Sequence, residues 1–247
     1  MRGDGSVSPR TRRAVAAVEE AGALFVMVTG RPPRWMAMVS EATGHRGLAI
    51  CANGALLYDL HSEQVVESFL LDGATAAEVV ADLRRDVPGI AFAVEQPGGV
   101  FAYERAYVPS WDNEAAVVGE IDEMVAQGVV KLLGRAPRID SDDLLAAGRV
   151  TVGTRATLTH SAGGGLLEVS APGVSKASGL AALAAENGLG PQDAVAFGDM
   201  PNDLPMLAWA GRSVAVANAH PEVLAAADEV TATNDEDGVA RVLERWF

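Results

Sequence analysis

Apolar residues follow one pattern near the two ends of the chain and another in the middle. Near the ends they form short continuous runs between helical segments, as in LFVMVT (24–29), LAICA (48–52), AVAFG (194–198) and SVAVA (213–217). A strand that is buried on both faces of a parallel sheet has this uninterrupted apolar character. The terminal parts of the chain are therefore predicted to form an α/β core around a parallel sheet.

Helix and turn signals separate these runs. Ser8 followed by Pro9 is a typical helix start, and Gly22 ends the segment between them. The stretch GDGS at 3–6 predicts a turn, with Asp4 as a turn residue. The better alternation on either side of residues 61–63 predicts a β-hairpin.

Between about residues 71 and 169 the pattern changes. Helices are predicted over 76–87, 114–128 and 141–148, and the strand-like segments between them alternate or adjoin glycine-rich turns. This mixture is typical of an antiparallel α+β module inserted between two halves of an α/β core. The predicted divisions are 1–70 and 170–247 for the core and 71–169 for the insertion.

Composition narrows the classes of function. The hydrophobic fraction of 49% supports a large core, and the net charge of −14 argues against nucleic acid or an anionic membrane as a partner. The lone cysteine, Cys51, lies in an apolar run and is predicted to be a buried small residue. No apolar run approaches the ~20 residues of a membrane span. With no apolar signal segment at the start, a soluble cytoplasmic protein is expected.

Three polar clusters follow predicted strands or precede predicted helices: VTGRP (28–32), GVSKASG (173–179) and AFGDMPND (196–203). In open α/β sheets, ligands bind at the carboxyl ends of the strands. Asp199 stands there, and its carboxylate suits a hard cation such as Mg²⁺. Asp203 could support the same ion or instead cap the helix that begins near Leu204.

The other two clusters suit phosphate. Thr29 and Gly30 offer a hydroxyl and an unhindered N–H beside a helix start, although an ordinary strand-to-helix turn has the same composition. Lys176 lies near a helix start, where a positive charge interacts unfavourably with the helix dipole. The alternative is that Lys176 is a surface lysine with no functional role. The three clusters together favour a site for a phosphorylated ligand.

Five segments together resemble the haloacid-dehalogenase superfamily, most closely its Cof-type phosphatases. They are VTGRP (28–32), ANG (52–54), GVSK (173–176), GDMPND (198–203) and VANA (216–219). The resemblance covers nearly the whole chain and implies a Rossmann-like core with an inserted α+β cap. It also implies a Mg²⁺-dependent phosphoric monoester hydrolase that acts on a small phosphorylated metabolite through an aspartyl-phosphate.

The resemblance also implies roles for individual residues. The residues that would bind phosphate are Thr29, Gly30, Lys176 and Asn202. Asp199 would bind the metal ion, and Asp203 would hold that metal site in place without binding the ion directly. Possible substrate or hinge residues are Arg31, Asn53 and Gly54.

One part of the family pattern is missing. The family carries a DxDGT segment whose first Asp is the nucleophile and whose second is the general acid and base. Met1 stands where that segment would precede the first helix, and Asp4 falls on the following turn. No catalytic residue is therefore assigned, this chain is predicted to be inactive, and the natural product is expected to extend upstream of Met1.

The missing segment also has a structural consequence. In the family it forms a central strand between the runs at 24–29 and 194–199. Those two runs are therefore expected to stand apart, with Val26, Val28, Val195 and Phe197 bordering the space between them. The alternative is that they move together and pair directly.

Two rival functions remain open. One is a non-catalytic binder of phosphorylated metabolites, and the other is a phosphomutase on the same fold. Trp111 and Tyr107 could stack on a substrate or simply pack, and His220 is a weak catalytic candidate beside the VANA segment. The sequence predicts neither the substrate nor the oligomeric state.

Overall fold

The computed structural model describes residues 1–109 and 115–247, so Trp111 lies outside the described residues. Within these ranges the backbone divides into two units. The core unit is Met1–Glu67 with Lys176–Phe247, and the inserted unit is Ser68–Ser175. The domain divisions that the sequence predicts after residues 70 and 169 remain predictions.

The core unit begins with a turn. Asp4 Oδ1 accepts the N–H of Ser6 at 2.8 Å, which confirms the turn predicted there. The Ser8 side chain then accepts the N–H of Thr11 and caps α1 (Pro9–Glu20), so the predicted helix start is confirmed.

The first part of the core unit forms a four-membered sheet in the described chain. After α1 come β1 (Met27–Val28), α2 (Met36–Thr43), β2 (Leu48–Cys51), β3 (Leu56–Asp59) and β4 (Gln64–Ser68). The strand order is β1-β2-β3-β4, with β1 parallel to β2 and β2 antiparallel to β3. The predicted hairpin around residues 61–63 is confirmed, and Cys51 is buried as predicted.

The inserted unit is an α+β sandwich. Its elements are α3 (Gly73–Asp86), β5 (Ala91–Glu95), β6 (Phe101–Tyr103), β7 (Val117–Val118), α4 (Ile121–Val125), β8 (Lys131–Arg135), α5 (Ser141–Val152), β9 (Thr157–Thr159) and β10 (Leu166–Ser170). The described strands have the order β7-β6-β5-β8-β10-β9 and are antiparallel except for the β6–β7 pair. Helices α3 and α5 pack together, and α5 lies on β9 and β10.

Two helix predictions in this unit are wrong in extent. A helix is expected over 114–128, of which residue 114 lies outside the described residues; in the described part it is reduced to α4, and Val117–Val118 forms a strand beside Ala102 and Tyr103 instead. Two β-branched residues before Gly119 suit a strand end better than a helix. Helix α5 continues to Val152, beyond the predicted end at Gly148. Gly148 lies against Leu158 and Leu167 with no room for a larger side chain, so this glycine serves close packing and does not mark a helix end.

The second part of the core unit alternates helices and parallel strands. Its elements are α6 (Lys176–Glu186), β11 (Val195–Gly198), α7 (Leu204–Trp209), β12 (Arg212–Ala215), α8 (Pro221–Ala226), β13 (Glu229–Val230) and α9 (Gly238–Leu243). Strands β11, β12 and β13 are parallel neighbours in that order. Met206, Leu207 and Val223 of α7 and α8 pack against Ala196 and Val216. The predicted α/β architecture with a parallel-stranded core is confirmed.

Strands β1 and β11 do not pair with each other in the described ranges. Each has a partner on one side, β2 and β12 respectively. A cavity of ≈ 400 Å³ lies between them, lined on one side by Val26 and Val28 and on the other by Val195 and Phe197. The prediction that the two runs stand apart is confirmed. Strand β1, at Met27–Val28, is shorter than the run LFVMVT.

None of the helices in the described residues combines the length and the apolar character needed to cross a lipid bilayer.

Candidate active site

Thr29 and Gly30 follow β1 directly, at its carboxyl end. The N–H of Thr29 continues the β1–β2 ladder by donating to the carbonyl of Ile50 at 2.8 Å. The Thr29 hydroxyl oxygen accepts the N–H of Arg31 at 3.1 Å, which turns the chain toward α2. This turn leaves the two residues half-buried at the sheet edge, where a phosphate cradle was predicted.

Asn53 lies beside this turn in a left-handed backbone conformation. Its φ is 60° and its N–H donates to the carbonyl of Thr29 at 3.0 Å. Ala52 is also left-handed, with φ 51°, and its N–H donates to the carbonyl of Arg31 at 2.9 Å. Asparagine tolerates this conformation better than most residues. The two bonds fasten the ANG turn to the Thr29–Arg31 turn.

Gly30 lies directly against two buried amide side chains. A Cβ on Gly30 would come within 2.9 Å of Asn53 Oδ1 and 3.4 Å of Asn202 Nδ2. Asn202 Nδ2 in turn donates to Asn53 Oδ1 at 2.9 Å. A larger residue at position 30 would therefore displace the amide pair.

Lys176 forms a buried ion pair with Asp203. Its Nζ lies 2.5 Å from Asp203 Oδ1, and the two residues are 6% and 3% exposed. Helix α6 reaches this position because Gly179 lets it approach β2: a Cβ there would be 2.9 Å from Ile50 Cγ2. Lys176 is thus held inside the core, and the alternative of a surface lysine without a task is wrong.

Asp203 also organises the loop after β11. Its Oδ2 accepts the N–H of Asp199 at 2.9 Å and the N–H of Met200 at 3.0 Å. A Cβ on Gly198 would come within 2.6 Å of Asp203 Cβ, so glycine is needed before Asp199. The Asp203 side chain makes no capping bond to α7, so the capping alternative does not describe its contacts among the described residues.

Asp199 presents the exposed carboxylate of this loop. Partial burial raises the pKa of its carboxyl above the usual value, and the neighbouring Asp203 raises it further, while Lys176 opposes both. A group whose charged form is disfavoured in this way gains from a nearby cation. Oxygen donors on an accessible loop suit Mg²⁺, so the residues present fit that ion.

The remaining candidates lie around this centre in different ways. His220 donates its backbone N–H to the carbonyl of Asp199 at 2.8 Å, and its side chain caps α8. Arg31 points its guanidinium toward Met1 Sδ at 3.2 Å. Tyr107 is buried against Phe101 in the inserted unit, so packing is its observed role.

A family model described as haloacid dehalogenase-like hydrolase matches residues 1–243. The chain belongs to this family. The match agrees with the resemblance of the sequence motifs to those of Cof-type phosphatases.

Curated relatives of the hydrolase chain include several proteins named as phosphatases. The pyridoxal phosphate phosphatase YbhA of Escherichia coli is 26% identical over 95% of this chain and 90% of its own length. The stress response protein YhaX of Bacillus subtilis is 48% identical, but over 33% of this chain and 28% of its own length. The B. subtilis phosphatase YitU, named for 5-amino-6-(5-phospho-D-ribitylamino)uracil, is 43% identical over 33% of this chain and 30% of its own length. The matches to YhaX and YitU thus span less than a third of those proteins.

Solved structures agree on the fold. The subclass IIB sugar phosphatase BT4131 superposes with a TM-score of 0.81, at 21% identity, over 98% of this hydrolase chain and 92% of its own. SMU.1108c of Streptococcus mutans superposes with a TM-score of 0.83, at 20% identity, over 100% and 94% of the two chains. Sequence identities this low support a shared fold and give no information about the substrate.

One side-chain contact in the hydrolase site could not be predicted from the sequence motifs. The direct bond between the side chains of Asn53 and Asn202 joins residues 149 positions apart. Composition and periodicity reveal neither this contact nor the positive φ of Asn53. A polar residue flanked by small ones at a strand end, as in ANG, is the one hint that the sequence offers.

Proposed function

We propose that the core unit provides the phosphate- and metal-binding part of a phosphatase site for a small phosphorylated metabolite. The observation that carries this proposal is a continuous set of contacts at the strand ends. It runs from Lys176 through Asp203 to the Asp199 loop, and from Asn202 through Asn53 to Gly30. Positive charge, amide donors and an accessible carboxylate converge there, as phosphoryl transfer requires.

Each residue has a distinct part in this proposal. The Thr29 hydroxyl and the Gly30 N–H receive the phosphoryl oxygens, and Lys176 supplies positive charge to balance theirs. Asp199 would hold Mg²⁺, which when bound supplies further neutralisation of phosphoryl charge. Asp203 keeps Lys176 and the Asp199 backbone in place. Asn202 supports the phosphoryl group from the side of the metal loop.

The substrate class is proposed from the names of relatives and from charge. Relatives that match this chain are named for pyridoxal phosphate and for a phosphoribityl-aminouracil, both small phosphate monoesters. The net charge of −14 disfavours nucleic acid as the phosphate donor. We therefore propose a small phosphorylated metabolite as the ligand.

Turnover needs a nucleophile that the described site residues do not provide. Formation of an aspartyl-phosphate requires a carboxylate close to the bound phosphorus. Asp199 is assigned to the metal and Asp203 is paired with Lys176, while Asp4 is an exposed turn residue. We propose that this 247-residue chain binds phosphate and Mg²⁺ without hydrolysing phosphate esters.

Calorimetric titration with inorganic phosphate in Mg²⁺ buffer tests the binding proposal. The wild-type chain should bind, and Thr29→Val should bind about tenfold more weakly because it loses one hydroxyl donor to a charged group. Thr43→Val is the matched control, since the Thr43 hydroxyl bonds to the carbonyl of Val39 on α2. No binding by the wild type, or equal binding by Thr29→Val, would refute the site.

A phosphate-release assay on a panel of phosphate esters tests the second statement. The chain should release no phosphate above background, with or without Mg²⁺. Robust release that Asp4→Asn abolishes would show that Asp4 reaches the substrate and that the turn assignment misleads.

A further inference from the structure

Asn53 and Asn202 form an amide pair that joins two separate loops of the core unit. Asn53 belongs to the turn after β2, and Asn202 belongs to the loop after β11. The bond between Asn202 Nδ2 and Asn53 Oδ1 is 2.9 Å long, and the two residues are 4% and 2% exposed. A buried amide–amide bond fixes the orientation of both planar groups.

Asn53 is itself fixed by its backbone. Its N–H is bonded to the carbonyl of Thr29, and its backbone is left-handed, with a φ of 60°. A left-handed residue in a short turn is held only where the surroundings determine it. Asn53 therefore joins Thr29 through its backbone and Asn202 through its side chain.

Two polar atoms of the pair take no part in the bond between the two side chains. In the described chain, Asn53 Nδ2 and Asn202 Oδ1 are buried without a hydrogen-bond partner. Buried polar atoms of this kind are rare in folded proteins, and each calls for an explanation. Asn53 Nδ2 is a donor that can bond a phosphoryl oxygen, whereas Asn202 Oδ1 is an acceptor and cannot. The pair lies against Gly30, the residue to which we assign a phosphoryl oxygen.

From these contacts, and resting on the proposed function, we infer that Asn53 is a positioning residue for phosphate binding. It holds the Asn202 amide against Gly30 and thereby keeps the Thr29–Gly30 turn and the Asp199–Asp203 loop in register. The phosphoryl group then meets both loops at once. Without Asn53, Asn202 keeps its chemistry but loses its fixed orientation.

Phosphate titration of a double-mutant cycle tests this inference. Asn53→Gly removes the side chain and keeps the left-handed backbone accessible, since glycine adopts positive φ freely. We expect Asn53→Gly to weaken inorganic phosphate binding about tenfold, the effect of one lost hydrogen bond. Because Asn53 acts through Asn202, Asn53→Gly with Asn202→Ala should bind no more weakly than Asn202→Ala alone. If Asn53→Gly weakens phosphate binding by the same factor in the wild type and in Asn202→Ala, the inference is wrong.

The neighbouring residue provides a matched control. Ala52→Gly changes another left-handed residue of the same turn and leaves the amide pair intact. We expect its phosphate affinity to equal that of the wild type. Loss of affinity in Ala52→Gly as large as in Asn53→Gly would show that turn flexibility, and not the amide, matters.

A second variant decides the matter should Asn53→Gly fail to fold. Asn53→Asp keeps an acceptor for Asn202 Nδ2 but puts a negative charge beside the phosphate. Its affinity relative to the wild type at the same pH should be low at neutral pH and recover on acidification, as the new carboxyl is protonated. A ratio that does not change with pH overturns the inference. If the wild-type chain binds no phosphate, the proposed function itself fails; if it binds phosphate independently of Asn53, this inference alone fails.

Discussion

Lys176 and Asp203 lie 2.5 Å apart through Nζ and Oδ1, and both are buried among residues of the core unit. The same aspartate binds the N–H groups of Asp199 and Met200 through its second oxygen. One carboxylate thus fixes the lysine and the loop that carries the candidate metal ligand. Breaking a buried ion pair costs much free energy, because the remaining charge is left without a counter-charge and without water around it.

Asp203→Asn should therefore destabilise the chain strongly. The amide leaves the Lys176 ammonium buried without its counter-charge, and we expect a loss of about 3–5 kcal/mol in the free energy of unfolding. Urea unfolding followed by circular dichroism measures it. Glu244→Gln is the control, because Glu244 pairs with Arg10 at the surface and solvent screens that pair. Equal effects of the two substitutions would contradict the assignment of Asp203 as a buried anchor.

Asp199→Asn should separate metal binding from stability. Burial and Asp203 raise the pKa of the Asp199 carboxyl, so its ionised form costs more free energy in the folded chain than in the unfolded chain. Removing that charge should leave the Mg²⁺-free protein as stable or more stable, while Mg²⁺ binding weakens by more than about tenfold. Unfolding in chelator and Mg²⁺ calorimetry measure the two effects. Asp4→Asn, at an exposed turn, should change neither; tight Mg²⁺ binding by Asp199→Asn would refute the metal assignment.

The positions of the site residues could be predicted from the sequence because they follow apolar runs. Thr29 and Asp199 come directly after strands, and parallel strands place their carboxyl ends on one side of a sheet. What Lys176 pairs with could not be predicted in this way. Its partner Asp203 is 27 positions away, and the ion pair depends on how closely Gly179 lets α6 approach β2.

The inserted unit shows a second limit of sequence patterns. Residues 114–128 have helical composition, yet Val117 and Val118 form a strand because β6 offers them a free edge. Propensity is a weak preference that a neighbouring strand overrides. The bond between Asn53 and Asn202 is hidden for a similar reason, since it arises from tertiary proximity alone.

Asp237 provides a test of pH dependence. Its carboxylate lies near the start of α1, where Ser8 chiefly lowers its pKa, with Arg2 and Thr11 adding to the effect. A lowered pKa means that the carboxylate stabilises the fold above the ordinary value of 3.8, and that this contribution is lost as pH falls through the lower folded-state pKa. Asp237→Asn should therefore be less stable than the wild type near neutral pH.

The stability difference between wild type and Asp237→Asn should shrink toward zero on acidification to about pH 3 or below. Asparagine tolerates the left-handed φ of 61° at this position, so the substitution changes mainly the charge. Urea unfolding at several pH values measures the difference. Asp235→Asn, two residues away and bonded to the N–H of Gly3 at the surface, is the control. A difference that stays constant with pH would show that packing, and not charge, accounts for the effect of Asp237→Asn.

The cavity between β1 and β11 predicts how the chain behaves in concentrated solution. Its apolar lining is open enough at Val195 that this side chain is 40% exposed, on a strand whose far edge has no described strand partner. Exposed apolar strand edges promote association between chains, and a lysine on such an edge prevents it. Val195→Lys should therefore slow aggregation, measured by light scattering, and reduce the fluorescence of an apolar dye that binds exposed hydrophobic surface. Val150→Lys is the matched control, because Val150 is 87% exposed on α5, far along the chain from this cavity. If both lysine variants slow aggregation equally, added charge explains the result; if neither does, the open strand edge is not where the chains associate.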